Sequence, residues 1–390
     1  MRITKVARVA RVLGLVALLA VGCRPTASGA PAPSIPAPTQ AAAPPSPWLA
    51  QAEAIGALVE SMAAAVQAGD RAGYLALVDL SNPTFALEHT RWVDDWSGAN
   101  PATEYALQIS GLVLDDNEAT GQMQVTWFIH GDEETSYRRT ATYYVRFTGG
   151  PDAWRYAGES WVDTQVEHFL IHVAPELKGS ATVVAADLPS IYDHVTSALA
   201  YEPGAPLEIK LYQNAPALVA TTLLSLPDIR GWNEPGEALK IHFSPGGPSV
   251  ASIIAHEFTH FLCFDRAGTQ RTRMPWWLDE GIATYVAASY EDTQPNERLA
   301  QVVAWEASGE LAPWDSMAVF EDTPVDLWKF VYPQGYAMTR YVTEEYGEAK
   351  RNAWLAAMAT EMDIDEATPA ILNLTFDELD AAFRGWLSGQ

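Results

Sequence analysis

His256-Glu257-Phe258-Thr259-His260 sets two imidazoles four residues apart. On a helix, residues at that spacing lie about 40° apart around the axis and about 6 Å along it, so both side chains can reach one ion. Glu257 stands about 100° from His256, beside such an ion rather than on it, which suits a base acting on water held by a metal. Downstream, Trp277-Leu278-Asp279-Glu280-Gly281-Ile282-Ala283-Thr284-Tyr285 puts Glu280 at the opening of a second apolar stretch. A carboxylate there makes His256, His260 and Glu280 a His₂Glu zinc set, with a fourth position left for water. The chemistry is metal-assisted hydrolysis, in which Glu257 takes a proton from water and hands it to the leaving group. Asp279 and Thr284 are candidates for orienting the ligands, and Cys263 reads as a core residue.

These residues need rigid carriers. Gly246-Gly247-Pro248 stops whatever precedes, Ser249 is a good N-cap, and the apolar residues from Val250 to Phe264 then read as a buried helix. Before it, Val183, Val184, Leu188, Ile191, Val195 and Leu199 predict a helix over 181–200, and Leu207/Ile209/Leu211 and Leu239/Ile241/Phe243 alternate as strands around a loop-rich stretch, Pro227 to Glu237. Thr375-Phe376-Asp377-Glu378 is a capping box opening a last helix. His168 and His172 are also four apart, but in a strand and with no third ligand apparent, so they read as structural.

Earlier in the chain, Leu49, Ala52, Ile55, Leu58, Val59, Met62 and Val66 have helical spacing, and a short helix is expected around 71–79. Four alternating runs follow, around Leu107, Val125, Val145 and Tyr156, as in an antiparallel sheet with one buried face. The order predicts α+β. His89, His130, Trp92 and Trp127 read as aromatic packing and exposed histidines, and this region receives no chemistry.

The chain opens on an address. Arg2, Lys5, Arg8 and Arg11 precede an apolar run from Val12 to Val21 that is too short for an ordinary membrane span and ends at Ala20-Val21-Gly22-Cys23. That ending resembles a bacterial lipobox, although Ala20 stands where Leu is usual. It implies lipidation of Cys23 and an extracytoplasmic, membrane-anchored lipoprotein, or a secreted protein if Cys23 stays unmodified. Residues 23–47, rich in Pro and Ala, read as a stand-off tether. The expected organisation is therefore 1–22 signal, 23–47 tether, 48–168 first folded domain and 169–390 second. With 48% apolar and 19% charged residues the chain can bury real cores, and a net charge of −25 repels phosphate backbones, which argues against a nucleic-acid partner.

The HEFTH segment, Glu280 and WLDEGIATY resemble the gluzincin metallopeptidases of the MA clan, in the "peptidase MA-like" group, over about residues 170–390. The resemblance implies a thermolysin-like mixed sheet on the active-site helix, a helical lobe, a zinc cofactor and a peptide or protein substrate. Tyr332-Pro333-Gln334-Gly335 is similar to the helix opening that supplies a transition-state tyrosine in zinc aminopeptidases, which implies Tyr332 as oxyanion donor, with Tyr336 in reserve. No Gly-x-Met-Glu-Asn amine-binding segment accompanies it, so an endopeptidase is favoured, its substrate pairing with the strand Leu239–Phe243. Residues 48–168 resemble the cone-shaped nuclear-transport-factor-like domains. The rival function is a catalytically inactive, zinc-containing lipoprotein acting as a binding module.

Overall fold

The computed structural model describes residues 47–98, 101–129, 137–150, 153–226, 228–243, 249–268, 273–291, 295–320 and 322–390. The signal, Cys23 and His130 lie outside them, as does the tether except for Pro47. Pro47, expected to close the tether, instead opens α1 (Pro47–Ala68), a position where proline's missing N–H costs nothing. The fold is α+β, as expected. Helices α1, α2 (Arg71–Leu75) and α3 (Pro83–Ser97) precede an antiparallel sheet in the order β1 (Thr103–Asp115), β2 (Glu118–Ile129), β3 (Tyr137–Thr148), β4 (Arg155–Glu159). Ile55, Leu58, Val59, Met62 and Val66 form the buried stripe of α1. Helix α3 starts where the Asn82 side chain accepts from the Phe85 N–H at 2.9 Å, with Pro83 in its first turn.

A second, mixed sheet has the order β5 (Val162–Val166), β6 (Phe169–Val173), β7 (Leu207–Tyr212), β9 (Leu239–His242), β8 (Gly231–Trp232). Strands β6, β7 and β9 run parallel, and β5 and β8 are antiparallel edges. Helix α4 (Ala181–Leu199) makes the crossover from β6 to β7 and α5 (Ala215–Thr222) follows β7. Val183, expected on the buried stripe of α4, faces solvent instead. The helical lobe is α6 (Val250–Ala267), α7 (Trp276–Tyr290), α8 (Pro295–Ser308), α9 (Trp328–Tyr346), α10 (Glu348–Thr360), α11 (Ile364–Leu372) and α12 (Phe376–Leu387).

The boundary expected at residue 168 falls inside the β5–β6 hairpin, so β5 belongs with the second sheet. The two regions also share a core. Tyr212, Leu218, Val219, Leu224 and Leu226, from the second half, pack with the aromatic residues of the first. Helix α3 is tied to the second sheet by buried charge. Glu88 pairs with Lys210 of β7 and, at 3.6 Å, with Lys240 of β9, and it accepts from the Ala238 N–H at 3.0 Å. Arg91 reaches Glu237 at 2.7 Å and the Pro235 carbonyl at 2.9 Å. The ion pairs hold Glu88 down to about 2 despite burial that would raise it.

Candidate active site

Helix α6 begins as expected: the Ser249 hydroxyl accepts from the Ser252 N–H at 3.0 Å. Ile254, Ala255, Phe258, Leu262 and Cys263 sink into the core, and burial pushes the Cys263 thiol up to about 12, which leaves it inert. With that face buried, His256 and His260 turn to a cleft of about 1230 Å³. Helix α7 meets them with Glu280, and α7 in turn lies directly on α9. The helices cross at Gly281 and Gly335, where a Cβ on either glycine would collide with backbone of the other helix. Gly335 therefore serves close helix packing, and Tyr332-Pro333-Gln334-Gly335, expected at a helix opening, lies inside α9 instead.

The donors converge. His256 Nε2 lies 3.1 Å from His260 Nε2 and 3.1 Å from Glu280 Oε2, and His260 Nε2 lies 3.4 Å from the same oxygen. A tetrahedral ion with bonds of about 2.0–2.1 Å spaces its ligands about 3.3 Å apart, so this triangle fits zinc. The other carboxylate oxygen is held in place: Glu280 Oε1 accepts from the Trp276 indole N–H at 3.0 Å and from the Tyr332 hydroxyl at 3.4 Å. Asp279 Oδ2 sits 2.9 Å from His260 Nδ1, which turns Nε2 toward the triangle. Thr284, expected to orient a ligand, has a buried hydroxyl without a hydrogen-bond partner.

Charge follows position. Glu257 is buried beside the triangle, and burial raises its carboxyl above the ordinary range against the pull of His256 and His260. Burial would also raise Glu280, but the two histidines win and hold it low. For His260, burial lowers and the carboxylates of Asp279 and Glu280 raise; the carboxylates prevail. Desolvation within the cleft, and then the Glu280 and Glu257 carboxylates, push the Tyr332 hydroxyl well up, so it stays protonated. Tyr332 lines the cleft, 39% exposed, whereas Tyr336 is buried against Tyr285, off the cleft. His172 lies 2.8 Å from Asp163, away from the triangle, and His168 stacks on Tyr192.

One expectation fails at the sheet. Strand β9, expected to pair with substrate, is already flanked on both sides, by β7 and by β8. The edge belongs to β8, two residues long and hidden in a stretch that read as loop. Its Gly231 lies so close to Glu257 that a Cβ there would strike the carboxylate. Trp232, Trp276, Phe320 and Trp328 also line the cleft and were not anticipated.

Residues 248–389 match the family model of the Peptidase MA superfamily. The match supports a gluzincin-like zinc peptidase over that segment, with zinc as its cofactor. No curated protein matches the chain. Among solved structures, a mutant M1 zinc metallopeptidase from Deinococcus radiodurans is similar at 14% identity with a TM-score of 0.40. A two-domain M1 zinc metallopeptidase mutant bound to L-arginine is similar at 14% identity with a TM-score of 0.39. The similarity covers 74% of this chain and 62% of the length of each of those two.

Proposed function

We propose that the protein is a membrane-anchored, extracytoplasmic zinc peptidase that hydrolyses peptide bonds with an activated water. The observation that carries this reading is the triangle of His256, His260 and Glu280, with edges of 3.1–3.4 Å and a buried carboxylate, Glu257, beside it. Zinc held there supplies a Lewis acid that acidifies water and polarises a carbonyl. Glu257 accepts the proton of the attacking water and returns it to the departing amine, a task its raised pKa suits. Tyr332 donates its hydroxyl to the oxygen that becomes negative as water adds. An extended substrate adding to the open edge of β8 would run past Gly231 and Glu257, which supports cleavage within a chain. The alternative is exopeptidase action on a free terminal amine. Acetylated and free peptides separate the two, since only an exopeptidase needs the free amine. Anchoring rests on Cys23 and predicts detergent-phase partitioning that Cys23→Ala abolishes.

The deciding experiment is zinc content together with a peptide-library assay on the wild type and Glu257→Gln. Wild type should hold about one zinc and cut peptides; Glu257→Gln should keep the zinc and lose at least ~10² in kcat. A zinc-loaded wild type that cuts nothing in the library would leave the inactive binding module as the function.

A further inference from the structure

Three helices each present a pair of residues four apart to the same cleft: His256 and His260 on α6, Trp276 and Glu280 on α7, Trp328 and Tyr332 on α9. Hydrolysis accounts for four of these six; Trp276 also steadies Glu280 through its N–H, but neither indole ring surface has a part in it. Trp276 stands 5.0 Å from Phe320 and 5.6 Å from Trp328, edge to face in both cases, and Phe320 lies 5.3 Å from Trp328. Trp232 of β8 extends the group, 6.1 Å from Phe320. All four rings are half-buried. Trp276 backs onto one hydrophobic core, Trp232 and Phe320 onto the other, and Trp328 packs on Trp276 and Phe320. Half-buried rings leave apolar area in contact with water. Large rings kept at a cleft on those terms suit a ligand that covers them.

We propose that Trp232, Trp276, Phe320 and Trp328 form a subsite for an aromatic side chain of the peptide substrate, at a residue bordering the scissile bond. The inference rests on the peptidase reading and deepens it. Position argues for the bordering residue, because the wall begins at the metal triangle: the Trp276 indole N–H is on Glu280 at 3.0 Å. Chemistry argues for an aromatic occupant. None of the four side chains carries a charge to match an ionic group, and their mutual tilts of 68–77° at the Trp232, Trp276 and Phe320 contacts show faces and edges of the kind a further ring packs against.

Two arms on the full chain test this. Calorimetry compares N-acetylphenylalanine amide with N-acetylalanine amide in the wild type, Phe320→Leu and Trp328→Ala, each checked for zinc content. Phe320→Leu keeps apolar bulk and removes only the ring, so it remains informative should Trp328→Ala fold poorly. The wild type should prefer the phenylalanine ligand by about tenfold or more, the order that ring packing plus burial supplies, and Phe320→Leu should erase most of that preference with zinc unchanged. Equal binding of the two ligands by the wild type, or a preference that survives in both variants, would overturn the subsite. Tighter binding of N-acetylglucosamine than of the phenylalanine ligand would overturn it in favour of a sugar platform. The second arm is library hydrolysis. An aromatic binding preference in a zinc-loaded protein that cuts no peptide would sink the peptidase reading and leave the subsite standing.

Discussion

Glu257 works only where its carboxylate sits, and Gly231 presses on that carboxylate from β8. Gly231→Ala should therefore displace the base while leaving the zinc triangle alone, because the new methyl meets the far end of a flexible side chain rather than backbone. The expected result is a fall in kcat of about tenfold or more with zinc content unchanged, since general-base efficiency depends on hydrogen-bond reach. Unaltered turnover would mean that the carboxylate finds an equivalent place. Tyr332 makes a complementary case. Its hydroxyl lies 3.4 Å from Glu280 Oε1 and stays protonated, so it can donate a hydrogen bond to the oxygen that becomes negative as water adds. Tyr332→Phe should keep fold and zinc and lower kcat by ~10²–10³ with KM little changed. Full activity in Tyr332→Phe would take the tyrosine out of the mechanism. At this scale the sequence was informative where chemistry is local. His256, His260 and Glu257 are neighbours on one helix, so their geometry follows from helical spacing alone. The contact between Gly231 and Glu257 is tertiary, and nothing in either segment announces it.

Helices α7 and α9 touch backbone to backbone, and Glu280 stands next to the contact at Gly281. Gly335→Ala should wedge the pair apart, destabilising the protein by about 1–3 kcal/mol as overpacking does and weakening zinc binding because Glu280 moves with α7. Urea denaturation and competitive zinc titration measure both effects. Gly385→Ala in α12, where a methyl meets nothing within 4 Å, is the control and should be neutral or slightly stabilising. Gly335→Ala matching that control would refute the wedge. The elements that sequence periodicity missed share a cause. Helix α3 buries Glu88 and His89 beside Trp92, Val93 and Trp96, so its inward stripe is partly polar and disguises the helical period. Those polar groups are tolerable inside because Lys210, Ala238 and Tyr74 satisfy them from elsewhere in the chain. Strand β8 is too short for alternation to show, and it exists only because β9 lies beside it. Helix α6 and the last helix were legible because capping side chains and apolar spacing both lie within the segment.

Across the whole molecule, the two halves are joined by charges that neither half could bury alone. Removing one partner from such a pair leaves an uncompensated buried charge, at a cost of about 3–5 kcal/mol, so the junction around Glu88, Lys210, Lys240 and Glu237 resists separation. The same junction makes stability depend on pH. His89, next to Glu88, is buried between Phe85 and Trp92, with the Tyr74 hydroxyl 3.0 Å from Nε2. Burial first, then the Lys210 charge, lower its pKa from 6.5 to about 3, against the opposing pull of Glu88. The unfolded chain binds a proton at this residue below about pH 6.5 and the folded chain does not, so folding stability is lost as pH falls from there toward 3. The slope approaches about 1.4 kcal/mol per pH unit once the unfolded histidine is fully protonated. Glu88, held at about 2, adds a loss of the same sign only below its ordinary 4.5, so the interval from 6.5 to 4.5 isolates the histidine from it. The measurement is the urea unfolding free energy of the wild type and His89→Phe at pH 7 and pH 5. Phenylalanine keeps a ring between Phe85 and Trp92, and the hydrogen bond it forfeits to Tyr74 is missing at both pH values and cancels. Between those two pH values the wild type should lose about 2 kcal/mol more than the variant. Equal losses in the two proteins would show that His89 takes up its proton in the fold, and that the packing around it is looser than the contacts with Phe85, Trp92 and Tyr74 imply.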